Sequence, residues 1–341
     1  MLFHNTYGVD MGNDTIKISD RDERKFLMER NVIAIRDQTH VIAVGQKAFE
    51  MYEKTPVNVE ATCPMAGGVI ADTQNMEIVL WKFLKKCAAF RMRHPQIYFA
   101  VPNNISEVEK RAYFSTLKGR IKAKKVFLVE KGIADAVGME LPIEEQRGSM
   151  VINIGAQTTE ISVICGGKII LSKTLKIGGK SMDEAIATMV RRNFNLSIGM
   201  KTAEVLKNNF AYLLEGEEKE MRVWGVNTLS GLPREAAIPA SAVSFALLEI
   251  LEEITTNIKS VVERTPPQIL QDIKRSGIYL TGGVSLIPNI ADFIRLEIET
   301  RVYPVQYPIF STIRGLLKIM NEPKKYRKYT YSLKDLTGKM M

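Results

Sequence analysis

The amino-acid sequence predicts an α/β fold built from two similar halves. Strands alternate with amphipathic helices along the chain, a pattern typical of a sheet that helices cover on both faces. A pair of short β-branched strands around a turn occurs near residue 10 and again near residue 153, roughly half the chain apart. A length of 341 residues is enough for two domains, each with its own core. We therefore expect one domain at residues 1–147 and a second at 148–309.

The two hairpins share a sequence pattern. The first has strands at 6–9 and 15–18, and the second has strands at 151–154 and 158–163. Aligned, they read Asp10-x-Gly12-x-x-Thr15-x-Lys17-Ile18 and Asn153-x-Gly155-x-x-Thr158-x-Glu160-Ile161. Self-similarity of this kind indicates a duplicated unit.

Between the hairpins, the pattern predicts helix, strand, helix, strand and helix. An amphipathic helix is expected at 74–89 from six apolar residues at helical spacing: Met76, Val79, Leu80, Phe83, Leu84 and Cys87. A strand at 97–101 ends before Pro102. Ser106 with Glu109 forms a capping box that starts a helix to about residue 118. A strand at 126–129 and a helix at 133–140 follow.

The second half repeats this plan with a longer insert. Helices are expected at 182–192 and 202–213, and the acidic stretch 215–220 is interpreted as a loop. Ser241 is predicted to cap a long helix that runs to about 262, before the break at Pro266-Pro267. A buried strand at 276–280 leads into a Gly-Gly turn, and a helix at 310–320 precedes a basic tail.

Composition excludes several classes of protein. No run of about 18 apolar residues and no secretory signal is present, so we expect a cytoplasmic protein. The three cysteines and three histidines are scattered, which leaves no disulfide, zinc or nucleophilic-triad pattern. The net charge of +9 predicts attraction to an anionic partner, either lipid headgroups or nucleic acid.

The first hairpin turn carries the pattern of a phosphate-binding loop. An Asp-x-Gly turn between strands points backbone N–H groups at a phosphate, and its carboxylate can hold a metal-bound water. Asp10 to Thr15 fits this pattern. An ordinary Asn-Asp turn in any hairpin can have the same sequence. The presence of a second such hairpin, together with the later Gly-Gly turn, is less easily explained by chance and favours the phosphate-binding loop.

Segments along nearly the whole chain resemble the MreB, or rod-shape-determining, family. Thr55-Pro56-Val57-Asn58 and Gly67-Gly68-Val69-Ile70-Ala71-Asp72 are similar to its T-P-x-N and D-G-V-I-A-D, and 178–186, 198–204 and 228–234 are similar to G-G-D-E-M-D-E-A-I, I-G-E-R-T-A-E and V-T-G-L-P-R. The resemblance implies an actin-like duplicated two-domain fold of the actin, hexokinase and chaperone-ATPase superfamily. Such a fold has four subdomains around an interdomain nucleotide cleft. Small insert subdomains are expected at 31–65 and 183–242, and a C-terminal helix at 310–341 is expected to pack back on the first domain.

The resemblance also assigns site residues for ATP or ADP with Mg²⁺. The first phosphate loop would comprise Asp10, Gly12, Asn13, Asp14 and Thr15, with Asp10 holding the metal through a water. The second would comprise Asn153, Gly155, Ala156, Gln157 and Thr158. Residues expected beside the nucleoside are Glu204, Lys207, Gly282, Gly283, Val284 and Ser285.

The chain departs from the family pattern at four places in the expected cleft. Asn153 replaces a carboxylate, which removes a charged hydrogen bond worth roughly 1.5–3 kcal/mol to the metal shell. Ala156 and Gln157 replace glycines that let the backbone approach phosphate. Met200-Lys201 replaces Glu-Arg beside the nucleoside.

The fourth departure concerns hydrolysis. Lys131 stands where the family has the glutamate that orients water, and Glu130 is one residue away. A misplaced general base costs about 10²–10⁴ in rate, so we expect at most a slow ATPase, with Glu130 as a weak catalytic candidate. In the alternative reading, Asp14 or Asp135 compensates.

A loop at 88–95 is similar in place to the family's membrane-insertion loop. Phe90 and Met92 would enter the bilayer, and Arg91 and Arg93 would meet anionic lipid. Alternatively, Phe90 packs back on the core in a solvated turn. The basic tail from Lys324 to Tyr329 would contact lipid or RNA, or is simply a solvated terminus.

Three functions follow from the resemblance. The first is a filament subunit at the inner face of the membrane that organises cell-wall synthesis and cell shape, with itself, anionic lipid and cell-wall elongation proteins as partners and nucleic acid not expected. The second is an active Mg-ATPase of the same superfamily. The third is a regulatory paralogue that copolymerises with an intact MreB.

Overall fold

The computed structural model describes residues 5–88 and 94–332, and they form mixed α/β units. The strands in chain order are β1 (Thr6–Met11), β2 (Thr15–Asp20), β3 (Phe26–Arg30), β4 (Ile33–Arg36), β5 (His40–Val44), β6 (Val59–Thr62), β7 (Met65–Ala66), β8 (Val69–Ile70), β9 (Gln96–Val101), β10 (Lys125–Glu130), β11 (Ser149–Ile154), β12 (Thr159–Cys165), β13 (Lys168–Leu175), β14 (Leu196–Ser197), β15 (Glu220–Asn227), β16 (Pro233–Pro239), β17 (Ile278–Thr281), β18 (Val302–Pro304) and β19 (Tyr331–Ser332).

Helices separate these strands. The α-helices in chain order are α1 (Gln46–Met51), α2 (Thr73–Cys87), α3 (Glu107–Ser115), α4 (Lys131–Gly138), α5 (Gly179–Phe194), α6 (Met200–Phe210), α7 (Ala240–Ala246), α8 (Leu248–Arg264), α9 (Pro267–Ser276), α10 (Ile290–Ile298) and α11 (Ser311–Asn321). Among the described residues, no helix has both the length and the apolar character needed to cross a bilayer.

The chain divides into two compact units. Unit 1 comprises Met1–Arg147, Ile164–Ser172 and Ile309–Met341, and unit 2 comprises Gly148–Val163 and Lys173–Pro308. Unit 1 is therefore assembled from three separate stretches of the chain, whereas most of unit 2 is one continuous stretch.

The two large sheets repeat one strand order. In one sheet the order is β19-β10-β9-β1-β2-β3, and in the other it is β13-β12-β11-β17-β18. In each sheet, three strands that are consecutive in the chain lie side by side, β1-β2-β3 in one and β11-β12-β13 in the other. Two further parallel strands extend the sheet from the first of these three, namely β9 and β10 beside β1, and β17 and β18 beside β11. This common order agrees with the duplicated unit predicted from the two hairpins.

The core of unit 1 lies between its large sheet and the helices that cover it. The predicted amphipathic helix is α2, and all six of its predicted apolar residues are buried. The predicted capping box is also present at the start of α3, where the Ser106 side chain accepts from the Glu109 N–H and the Glu109 carboxylate accepts from the Ser106 N–H.

Glycines allow helices α4 and α11 of unit 1 to pack backbone against backbone. A Cβ atom added to Gly315 would lie 1.8 Å from the Ala134 carbonyl oxygen, and one added to Gly138 would lie 2.0 Å from the Ser311 carbonyl oxygen. Both distances are far below van der Waals contact, so the two positions accept only glycine at this separation.

Two predictions for unit 2 were wrong. Ser241 does not cap a long helix, because it lies inside α7, whose N-cap is Pro239, and the helix is interrupted at Leu247 before α8 begins. The second error is an omission, since β15 and β16 form a hairpin directly after the acidic loop. Trp224 and Val226 point outward from β15 and are exposed, while Val223 is buried, so this strand lacks a simple alternation of polar and apolar residues.

Candidate functional site

The first candidate turn closes through its own backbone. The Gly12 N–H donates to the Thr15 carbonyl oxygen at 3.0 Å. A Cβ atom on Gly12 would lie 2.7 Å from that oxygen, so a side chain would force the turn open.

The second candidate turn closes in the same way. The Gly155 N–H donates to the Thr158 carbonyl oxygen at 2.8 Å. Ala156 and Gln157 occupy the middle of the turn and are half-buried, and Thr158 is buried. The two side chains that replace glycine therefore leave the closing hydrogen bond intact.

Neighbouring segments of unit 1 hold the first turn in place. The Asn13 side-chain oxygen accepts from the Gly68 N–H at 3.1 Å, and the Asn13 carbonyl oxygen accepts from the Cys63 thiol at 3.1 Å. The Asn31 side-chain amide donates to the Gly12 carbonyl oxygen at 2.9 Å. These contacts fix the turn from both sides, so its N–H groups are held in one orientation before any ligand binds.

Both acidic side chains of the first turn are paired with cations. Lys17 Nζ lies 3.0 Å from Asp10 Oδ2, and both residues are buried. Asp14 forms a close ion pair with Arg30, and both side chains are partly exposed. The carboxylates of this turn are therefore neutralised within unit 1.

The two turns offer the predicted Mg²⁺ ion a limited set of ligands. Asp10 Oδ2 accepts a hydrogen bond from the buried Lys17 ammonium group, and Asn153 is a neutral amide. Beside a nucleotide, Mg²⁺ keeps several waters and is held by one or two carboxylates together with the phosphates, so a water-mediated contact would depend on Asp10. In residues 5–88 and 94–332, no group of three or more His, Cys, Asp or Glu side chains is arranged to hold a metal.

The second turn lies against the start of helix α5 in unit 2. The Gly179 N–H donates to the Gly155 carbonyl oxygen at 2.9 Å, and the Lys180 N–H donates to the Ala156 carbonyl oxygen at 2.7 Å. A Cβ atom on Gly178 would lie 2.5 Å from the Gly155 oxygen. Close packing of the two backbones is thus what makes glycine necessary before α5.

Lys207 joins this cluster from helix α6. Its ammonium group donates to the Gly179 carbonyl oxygen at 2.9 Å and to Asp183 Oδ1 at 2.7 Å, and both side chains are about nine-tenths buried. Glu204 lies nearly one helical turn earlier and is half-buried. The Lys207 charge is therefore engaged in holding α5 and α6 together.

The Gly-Gly turn completes the cluster in unit 2. Gly282 has φ +92°, and a Cβ atom there would lie 2.3 Å from the Ile154 carbonyl oxygen and 2.7 Å from Asn153 Oδ1. The Ser285 hydroxyl donates to the Gly282 carbonyl oxygen at 2.6 Å, which closes the turn of Gly283–Leu286. The second turn, Lys207 and Val284 thus meet around Gly178 and Gly179.

Lys131 and Glu130 lie at the start of helix α4. Lys131 is its first residue, and Glu130 is its N-cap residue without a side-chain capping bond. The cap is supplied by Asn103, whose side-chain oxygen accepts from the Gly132 N–H at 3.0 Å. Glu130 Oε1 accepts from the Asn104 N–H at 3.5 Å.

The predicted membrane residues Phe90, Arg91, Met92 and Arg93 lie outside the described residues. The segment that follows them contacts a basic loop. His94 Nδ1 lies 3.3 Å from the Lys122 carbonyl oxygen, and the Lys124 N–H donates to the Pro95 carbonyl oxygen at 2.8 Å.

Sequence reasoning missed Lys17, Arg30, Asn31 and Asn103. One signal was available for Lys17, because strands that flank a short turn place Asp10 directly opposite Lys17. Arg30 and Asn31 reach the turn through β3 and the residue after it, and no local pattern marks them.

The comparisons with known proteins agree with this architecture. The profile of the MreB/Mbl protein family matches residues 4–328. The chain belongs to the MreB/Mbl family. The cell shape-determining protein MreB of Escherichia coli K12 is 35% identical over 322 residues, covering 92% of each chain. The cell shape-determining protein Mbl of Bacillus subtilis 168 is 32% identical over 311 residues, covering 90% of this chain and 93% of Mbl.

Solved structures of MreB-type proteins share the fold. MreB5 of Spiroplasma citri bound to ADP superposes with a TM-score of 0.89 at 28% identity, covering 95% of this chain and 98% of MreB5. The same protein bound to AMPPNP gives 0.89 at 27% identity. The MamK double helical filament gives 0.78 at 19% identity over 93% of this chain, which supports the fold alone. The predicted MreB family membership and actin-like fold are confirmed.

Proposed function

We propose that this chain is an MreB-type cytoskeletal subunit that assembles into filaments, binds ATP or ADP, and organises cell-wall synthesis and cell shape from the inner face of the membrane. The observation that carries the proposal is the family match over residues 4–328 together with two turns closed by the same hydrogen bond. The relatives named above are cell shape-determining proteins, and filament assembly is the output we assign to this chain.

The turns support nucleotide binding. In each turn a glycine N–H closes the loop, and the surrounding contacts fix the remaining N–H groups without a ligand. Pre-oriented backbone donors form a concave site for anionic oxygens. The Spiroplasma MreB5 structures contain ADP and AMPPNP, and we assign the same ligand class to the turns at 12–15 and 155–158, with Glu204, Lys207 and the turn at 282–285 on the nucleoside side.

Hydrolysis is proposed to be slow. Lys131 cannot accept a proton from water while it is charged, and the Glu130 carboxylate is directed toward the Asn104 N–H. The two alternative carboxylates are also engaged, since Asp14 pairs with Arg30 and Asp135 accepts a hydrogen bond from Thr312. These contacts favour a filament protein over an active ATPase.

The membrane proposal gains support from the basic loop beside residues 94–95. Lys118, Arg120, Lys122, Lys124 and Lys125 are exposed, and the segment 118–125 contains no acidic residue. Basic residues near an anionic bilayer contribute about 1 kcal/mol each. Together with Phe90 and Met92, this loop would bind one subunit weakly and a filament firmly, because a filament presents many copies at once.

Electron microscopy and sedimentation of the purified protein test the proposal. We expect filaments with ATP, and co-sedimentation with vesicles that contain phosphatidylglycerol. A persistent monomer with and without nucleotide, and no sedimentation with those vesicles, would contradict it. Filaments that appear only after addition of an intact MreB would instead favour the regulatory paralogue.

A further inference from the structure

The hairpin of β15 and β16 in unit 2 ends in an exposed apolar tip. Its apolar side chains Trp224, Val226, Leu229 and Leu232 have exposed fractions of 66%, 48%, 81% and 65%. Trp224 and Val226 are two residues apart on one face of β15, and the two leucines belong to the turn between the strands. Single exposed apolar residues need no explanation, whereas four on one short hairpin indicate a binding surface.

The tip is also uncharged. Residues 223–233 contain no acidic or basic side chain, and Arg222 and Arg234 flank them directly in the sequence. The first acidic residue after the tip is Glu235, whose carboxylate lies 3.3 Å from the Arg222 guanidinium group. The nearest acidic charge is therefore compensated, and the second arginine gives the border of the tip a net positive charge.

The acidic stretch 215–220 lies at the other end of β15. Its last residue, Glu220, begins the strand, and the strand rises by about 20 Å between Glu220 and Val226. Surface charges are screened over about 8 Å at physiological ionic strength. These glutamates therefore do not prevent an anionic surface from approaching the tip.

The tip satisfies its own backbone donors. Each N–H group of residues 227–232 has an acceptor within unit 2. The Asn227 side-chain oxygen accepts from the Leu229 and Ser230 N–H groups at 2.8 and 3.2 Å, and the Asn227 carbonyl oxygen accepts from the Gly231 N–H at 2.9 Å. A protein interface uses such donors for hydrogen bonds to its partner, whereas a bilayer requires them to be satisfied in advance.

We propose that the tip of the β15–β16 hairpin enters the lipid bilayer, which gives unit 2 a membrane contact separate from the basic loop of unit 1. This inference rests on the proposed membrane association and names a second site for it. Leu229 and Leu232 enter the boundary of the acyl chains, and Trp224 lies at the level of the headgroups, where tryptophan is enriched. Arg222 and Arg234 meet the lipid phosphates.

The fluorescence of Trp224 tests the proposal in the whole protein. The chain has two tryptophans, so Trp81→Phe leaves Trp224 as the single reporter. On addition of vesicles of phosphatidylglycerol and phosphatidylcholine, we expect its emission to move to shorter wavelength. Phosphatidylcholine brominated on its acyl chains should quench it.

The outcomes separate this inference from the membrane proposal. Co-sedimentation with the vesicles without any change in Trp224 emission would overturn the inference and leave membrane association standing. An absence of co-sedimentation would overturn both. A shift that accompanies filament assembly without vesicles, and that brominated lipid does not quench, would assign the tip to a contact between copies of the chain and overturn the inference.

Serine substitutions in the turn test the apolar contribution. Leu229→Ser with Leu232→Ser should weaken vesicle binding by about tenfold or more, because the apolar surface that leaves water is lost. The same variant should abolish quenching of Trp224 by brominated lipid. The hairpin should persist, since the leucine side chains form none of the hydrogen bonds of the turn, and circular dichroism checks this.

A matched control uses two other leucines of unit 2. Leu214 and Leu296 have exposed fractions of 53% and 58%, and Leu214→Ser with Leu296→Ser should leave vesicle binding unchanged. If the tip variant binds vesicles as tightly as the native chain, or if the control variant loses as much affinity as the tip variant, the inference is overturned.

Discussion

The Thr312 hydroxyl donates a hydrogen bond to Asp135 Oδ1, with the two oxygens 2.5 Å apart. Both residues are almost fully buried, and they join helix α11 to helix α4. The bond lies between the glycines that bring the two helix backbones together. The Asp135 carboxylate is thus part of the packing of unit 1.

Thr312→Val should destabilise the protein by about 1–3 kcal/mol, because the buried Asp135 carboxylate loses one donor while the side-chain volume is kept. Urea unfolding followed by circular dichroism measures the change. Thr256→Val on the exposed face of α8 is a matched control and should shift the midpoint little. Equal effects of the two variants would show that the bond contributes nothing.

Lys131→Glu should raise the rate of phosphate release from ATP by about 10²–10⁴, since it supplies a carboxylate where the lysine cannot accept a proton. A phosphate-release assay with filaments measures the rate, and Lys131→Gln separates loss of positive charge from gain of a base. A native rate that already equals that of Lys131→Glu would favour the active ATPase.

Replacing Lys118, Lys122 and Lys124 by glutamate should abolish co-sedimentation with phosphatidylglycerol vesicles. Loss of three basic residues near the lipid weakens binding by about 3 kcal/mol, or more than 100-fold, before any repulsion by the new carboxylates. The control variant replaces Lys324, Lys325 and Lys328 in the basic tail by glutamate, which changes the net charge by the same amount. Loss of binding with the tail variant alone would place the lipid contact there.

Burial raises the pKa of the Cys87 thiol to about 11, with a smaller contribution from Asp20. The folded-state pKa lies above the unfolded value of about 8.5. The contribution of the buried, protonated Cys87 thiol to the free energy of unfolding is therefore fully present below pH 8.5 and is lost as the pH rises toward 11. The stability difference between the native chain and Cys87→Ala should therefore shrink by on the order of 1 kcal/mol over this interval. Urea midpoints measured across this pH range check it, with Cys165→Ala as the control; a constant difference would contradict it.

Regular periodicity and turn chemistry made much of the fold predictable. Helix α2 follows from six apolar residues on one face, and α3 follows from the Ser106–Glu109 capping box. The break at Leu247 was not predictable, because neither glycine nor proline marks it. Strand β15 was missed because Trp224 and Val226 lie on its exposed side.

The candidate site was predictable as two turns, and its electrostatics were not. The sequence of the turn at 10–15 contains two carboxylates, Asp10 and Asp14, which suggested a metal site. Their partners Lys17 and Arg30 come from two different strands, so the neutral balance depends on strand register and sheet order. The pairing of Lys17 with Asp10 follows from the short turn between β1 and β2, whereas the pairing of Arg30 with Asp14 has no local signature.

The glycine-lined contact between α4 and α11 also constrains the order in which the chain can fold during its synthesis. Helix α11 is made only after the whole of unit 2 has been synthesised, because unit 2 ends at Pro308 and α11 begins at Ser311. Until then the face of α4 that contains Gly138 has no covering helix. Truncation before α11 would therefore leave unit 1 unable to complete its interior, and the nascent chain depends on α11 to finish its first domain.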